Sequence, residues 1–188
     1  MRQIRRWVRV CGAGVAVAIV CGFVVACDGD ESPVEPLPPA TLEGLFGDEL
    51  YRADGSTESL AALDSVPVIG IYFAAYGCPA CGTFTPLLVD AYAELREEGQ
   101  PFEVVFVSAD ASASAMLAHM EDRQMPWLAV PWGGVKANGL VQRYGIRWIP
   151  TLVVIDHEAN TITLNGREQL AQDGAAAYAD WLAASEDD

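Results

Sequence analysis

Three short apolar runs limit what this chain can fold into: VPVIGIYF at Val66–Phe73, FEVVFV at Phe102–Val107 and TLVVI at Thr151–Ile155. Each is rich in β-branched and aromatic residues and, Glu103 apart, has no polar residue alternating through it. That pattern marks strands buried on both faces rather than strands with a wet side. After the first run, Phe84, Leu87, Leu88, Ala91, Tyr92 and Leu95 recur at helical spacing, Glu97-Glu98-Gly99 closes the helix, and Pro86 within it predicts a kink. A second helix is expected through Ser112–Arg123, a short one near Leu140–Tyr144 and a closing one over Gly174–Ala184, with Thr161–Leu164 as a hairpin partner of the third strand. Ahead of the first run, LFGDELYRADGSTESLAAL reads as a hairpin-like entry turning at Asp54-Gly55, and MPWLAVPWGG reads as a loop. Strands alternating with helices predict an α/β fold with a central, mostly parallel or mixed sheet flanked by helices on both faces.

This unit is expected over residues 41–188 of a 188-residue chain, which is long enough for one ordinary domain. The first 26 residues are a different material: Arg2, Arg5, Arg6 and Arg9 without an acid, then an apolar run from Val10 to Ala26. Basic residues followed by an apolar stretch are the n-region and h-region of an export signal. VVAC at Val24–Cys27 resembles a bacterial lipobox, which makes Cys27 the expected lipidation site and first residue of the processed chain. The same residues also fit an uncleaved anchor, short for a span, or cleavage for free secretion. Residues 28–40, DGDESPVEPLPPA, read as an acidic, proline-rich tether that in polyproline form reaches about 40 Å from a bilayer. The expected location is therefore the bacterial cell envelope or periplasm, with the membrane as a partner through a lipid anchor.

Charge excludes one class of partner. The chain has 11 basic and 26 acidic residues; without the four arginines of residues 1–26 that becomes 7 against 26, a net of −19. Binding nucleic acid through its phosphates needs clustered Lys and Arg, so no nucleic acid partner is expected.

The cysteines narrow the chemistry. Of five, Cys11 and Cys21 lie within the signal and Cys27 at the lipobox, leaving Cys78 and Cys81 as the thiols of the folded unit, in the sequence CPAC. The pair follows the first buried strand and opens the helix after it, with Pro79 in the first turn, where a missing N–H costs nothing. A cysteine at a helix N-terminus faces free backbone N–H groups and the positive end of the helix dipole, both favouring thiolate over thiol. Cys78 is the expected nucleophile, and Cys81, one turn on, is placed to resolve a mixed disulfide. Zinc needs two further soft or imidazole ligands, and His119 and His157 have no spacing that supplies them, so no metal is expected. A purely structural disulfide remains a rival, although so small a loop adds little stability.

The blocks IYFAAYGCPAC, FTPLLVDAYAEL, FEVVFVSAD, MPWLAVPW and IPTLVVID, followed by the hairpin and NGR, resemble the thioredoxin fold and within it the tryparedoxin and nucleoredoxin group. The resemblance covers about residues 42–181. It implies a thiol-disulfide oxidoreductase that exchanges disulfides with protein substrates, with Cys78 attacking, Cys81 resolving and no cofactor beyond the redox-active disulfide. It also implies a cis proline at Pro150 opposite the cysteines, leaving the backbone at Ile149 open to an incoming peptide. A membrane electron donor or acceptor is the further partner an exported enzyme of this kind needs. Two departures from the family pattern stand out: Gly77 where a tryptophan usually precedes the first cysteine, and Tyr72 where thioredoxins proper carry a buried acid. Loss of the ring at Gly77 is expected to widen access to Cys78, and Trp127 in MPW is a candidate substrate contact. The rival class is a binding module of the same fold with an inert disulfide.

Overall fold

The computed structural model describes residues 40–186; the expected signal, Cys27 and the tether up to residue 39 lie outside them. In chain order the elements are α1 (Leu42–Phe46), β1 (Glu49–Tyr51), β2 (Thr57–Ser59), β3 (Val68–Ala74), α2 (Pro79–Glu97), β4 (Phe102–Ser108) and α3 (Ala113–Asp122). β5 (Leu128–Ala129), α4 (Val135–Arg143), β6 (Thr151–Asp156), β7 (Thr161–Thr163), α5 (Gly166–Asp173) and α6 (Ala177–Glu186) follow.

Among the described residues, one sheet runs in the order β2-β1-β5-β4-β3-β6-β7. Parallel pairing is confined to β3, β4 and β5; β6 lies antiparallel to β3, and the two hairpins extend the edges. The sheet is therefore mixed rather than mostly parallel. A hairpin needs only a tight turn, whereas each parallel neighbour needs a helical crossover, here α2 between β3 and β4 and α3 between β4 and β5. Central β3 is buried at all seven positions, as its composition requires. Its alternate residues serve two cores: Val68, Tyr72 and Ala74 pack with α2, α3 and α6, while Ile69, Ile71 and Phe73 pack with α1 and α4.

Several boundaries differ from the sequence expectation. The MPW segment contributes β5, too short for a periodic signal. The closing helix expected over Gly174–Ala184 is a 3-10 turn at Gly174–Ala176 followed by α6, and α5, a helix the sequence reading did not place, precedes it. α5 begins at a glycine because it rests on the sheet: a Cβ at Gly166 would come within 2.7 Å of Val154 Cγ2 and 2.9 Å of the Leu152 carbonyl oxygen. Pro86 removes one N–H from α2 without ending the helix, which continues to Glu97.

Candidate active site

β3 and α2 together present the cysteines. β3 ends at Ala74, the chain turns with the Cys78 N–H donating to the Ala75 carbonyl at 3.1 Å, and α2 starts with Pro79 at its first position. Cys78 is the N-cap, with extended backbone, and its Sγ accepts the Cys81 N–H at 3.2 Å. Part of the free N–H density of the helix start therefore points at this sulfur. The two sulfurs sit at disulfide distance, with Cα atoms 5.2 Å apart. The pair is unequal in exposure: Cys81 is 0 % exposed within the α2-side core, whereas Cys78 reaches the surface.

Opposite the cysteines, the Ile149–Pro150 peptide bond is cis, and the Ile149 carbonyl oxygen lies 3.6 Å from Cys78 Sγ. At Gly77 a Cβ would meet nothing within 4 Å among the described residues, so neither crowding there nor a positive φ requires the glycine. The aromatic side chain beside the nucleophile is instead Tyr76, half exposed, with its ring edge-on to His119 at 5.4 Å and under the Arg123 guanidinium at 5.2 Å. Trp148, next to Ile149, is 80 % exposed, and Trp132 is also on the surface.

Trp127 is not at this surface, which corrects the expectation that it contacts substrate. It is 1 % exposed, with its ring centroid 6.2 Å from Tyr72 and 5.7 Å from Tyr92 in T-shaped packing. The side chains around β5 alternate between the two cores, Leu128 and Val130 on the α1 and α4 side, and Trp127 falls in the α2-side core with Met125 and Ala129.

Tyr72 stands behind Cys81. The Thr85 hydroxyl donates to the Cys81 carbonyl at 2.8 Å, so it receives the Tyr72 O–H at 2.8 Å. Burial pushes the Tyr72 phenol up to about 12, against smaller opposing effects of the Thr85 hydrogen bond and the Arg123 charge. At physiological pH it is a neutral donor, not an acid that relays protons. Because the folded phenol holds its proton to about 12 and the unfolded one only to about 10, the folded state is the better proton binder between them. Stability is then fully present below about pH 10 and falls as pH rises towards 12, with Tyr92, Tyr144 and Tyr178 shifted in the same direction by burial. Urea unfolding across this range is expected to show the decline, and Tyr72→Phe should flatten it; an identical slope in the variant would remove Tyr72 as a source.

Sequence reasoning missed His119. It shares the inward face of α3 with Met116 and Met120, at i, i+3 and i+4, and its Nδ1 lies 2.9 Å from Asp110 Oδ2. The available signal was that spacing, since a histidine on an apolar helix face is buried and needs a partner. Among the described residues, no group of three or more His, Cys, Asp or Glu side chains is placed to hold a metal ion.

A cysteine pair opening the helix that leaves the central strand of a mixed α/β sheet, faced by a cis proline, defines the thioredoxin-fold thiol-disulfide oxidoreductases. A family model described as thioredoxin-like matches residues 67–162, and the chain belongs to that family. It is 36 % identical over 158 residues to nucleoredoxin from Bos taurus, covering 82 % of this chain but 36 % of that protein. The chain thus spans little more than a third of that relative's length. Among solved structures it is similar to thioredoxin from Wuchereria bancrofti, with TM-score 0.63 and 34 % identity over 74 % of this chain and 97 % of that one. Tryparedoxin II from C. fasciculata gives TM-score 0.64 and 30 % identity over 73 % and 94 %.

Proposed function

We propose that this chain is an exported, lipid-anchored thiol-disulfide oxidoreductase that exchanges disulfides with protein substrates through Cys78 and Cys81. The observation that carries the reading is the unequal pair: a reachable Cys78 whose sulfur accepts a helix-start N–H, and a buried Cys81 one turn behind it. In the reducing direction the Cys78 thiolate attacks one sulfur of a substrate disulfide, and the other leaves as a thiolate that takes up a proton. Cys81, deprotonated, then attacks Cys78 Sγ, releasing the second substrate thiol. The substrate gains two electrons and two protons, and the enzyme keeps the Cys78–Cys81 disulfide. Electrons for the next cycle come from a membrane donor; run in reverse, the same steps oxidise substrate dithiols into an acceptor. The reading needs no cofactor beyond the cysteine pair.

Substrate contact falls to the backbone at Ile149 and Pro150, to the open space over Gly77, and to the aromatic rim of Tyr76, Trp132 and Trp148. Large exposed aromatic side chains at Tyr76, two residues before Cys78, at Trp148, next to Ile149, and at Trp132, hydrogen-bonded to the Asp110 carbonyl, fit a polypeptide partner. The export and anchoring part of the reading rests on the sequence of residues 1–27.

Equilibration with glutathione tests the chemistry. A potential between about −270 and −120 mV is expected for an exchanger, whereas a value well below about −300 mV marks the inert bond of a binding module. Mass spectrometry of the membrane fraction tests the anchor: an acylated N-terminus at Cys27 is expected, and an unmodified Cys27 at that terminus would contradict acylation.

A further inference from the structure

Behind Tyr76 lies a polar cluster that the cysteine chemistry does not use. Asp110, in the loop between β4 and α3, has a side chain 5 % exposed, and His119 is 1 % exposed. Asp110 Oδ1 accepts the backbone N–H of Tyr76 at 2.8 Å. Asp110 Oδ2 accepts the Ser108 hydroxyl at 2.8 Å and lies 2.9 Å from His119 Nδ1, which donates because a carboxylate only accepts. The main chain of the loop is held as firmly. The Asp110 N–H donates to Ser108 Oγ at 3.0 Å, its carbonyl accepts the Trp132 indole N–H at 2.7 Å, and the Ala109 N–H donates to the Ala74 carbonyl at 2.9 Å. His119 in turn packs edge-on against Tyr76 and Phe106, at 5.4 Å each.

A buried carboxylate needs its lone pairs filled, and this one spends an oxygen on a single N–H two residues ahead of the nucleophile. The turn it grips has one internal hydrogen bond, from the Cys78 N–H to the Ala75 carbonyl, and the Asp110 contact adds a second hold from another element. Gly77, between Tyr76 and Cys78, has no side chain, and even a Cβ there would find no neighbour within 4 Å among the described residues. Glycine is the residue that gives a turn the most freedom. The hydrogen bond from Tyr76 N–H to Asp110 is thus a side-chain contact fixing the chain just before Cys78, and His119 fixes Asp110.

We propose that Asp110, braced by His119, is the positioning residue for the nucleophile: it holds the Tyr76 N–H and thereby keeps Cys78 Sγ aligned with the N–H groups that open α2. The proposal deepens the functional reading above and rests on it, but its test needs no turnover. The readouts, on the full reduced chain, are the pH profile of Cys78 alkylation by iodoacetamide, followed on the peptide carrying Cys78, and amide hydrogen exchange at Tyr76.

In Asp110→Ala, Tyr76 exchange is expected to accelerate at least about tenfold, and the alkylation midpoint to move to higher pH as the sulfur loses its alignment. The sign decides between two roles, because an Asp110 acting only through its negative charge would, once removed, shift the midpoint lower. His119→Leu should reproduce the upward shift in part, and His119→Asn, which keeps a donor near the Nδ1 position, should restore the wild-type profile. If Asp110→Ala does not fold, the two His119 variants decide alone. A downward shift, unchanged Tyr76 exchange in folded Asp110→Ala, or His119→Asn behaving like His119→Leu would each overturn the proposal. Cys78→Ser retaining activity would instead remove the functional reading and leave these readouts intact.

Discussion

Cys78→Ser is expected to bring insulin-disulfide reduction down to the uncatalysed background, while Cys81→Ser leaves a protein that accumulates mixed disulfides with its substrates. The two outcomes differ because the sulfurs differ in place. Attack requires a thiolate, and the sulfur able to become one at the surface is Cys78, whose Sγ takes the Cys81 N–H at 3.2 Å from the first turn of α2. A serine hydroxyl in the same position stays protonated at neutral pH and is a poor nucleophile towards sulfur. Cys81, buried in the α2-side core, cannot take over the first attack. Its own loss stops only the second step, so the covalent intermediate persists and is visible on non-reducing gels. Undiminished turnover in Cys78→Ser would sink the proposed mechanism.

Trp127→Ala should lower the unfolding free energy by about 3 to 5 kcal/mol, a large share of what a domain of this size holds in reserve. The ring fills the space between Tyr72 and Tyr92, and cutting it back leaves a cavity that these rings cannot collapse into without abandoning their own packing. The melting temperature is expected to fall by roughly 10 °C. At low temperature, the folded fraction should keep its KM for protein substrates, since the ring has no surface to offer them. Trp127→Phe should be far milder. The indole Nε1 is buried with no hydrogen-bond partner among the described residues, so phenylalanine removes that donor along with some volume. A raised KM in Trp127→Ala with unchanged stability would return this residue to the substrate surface.

Much of this was legible in the residues. Continuous apolar composition placed the three central strands, and the strand-to-helix position of CPAC fixed which cysteine faces the helix start. What was not legible depends on direction in space. Nothing in TLVVID says that β6 runs antiparallel to β3, because a strand buried on both faces has the same composition in either orientation. The tryptophans show the same limit: Trp127, Trp132 and Trp148 all stand near proline-containing turns, yet one is core and two are surface, as decided by sheet register and loop path. The contact between Asp110 and His119 links the loop after β4 to the inward face of α3, a pairing that periodicity within one element cannot show.

The depth of Cys81 also bears on the order of events in a working cycle. With one sulfur sealed into the core, the proposed exchange would receive electron donor and substrate alike at Cys78, under the same Ile149 carbonyl and beside the same Tyr76 ring. On that reading the two partners exclude one another: no complex would hold both, each would depart before the other arrives, and an excess of either would slow the cycle by occupying the shared port.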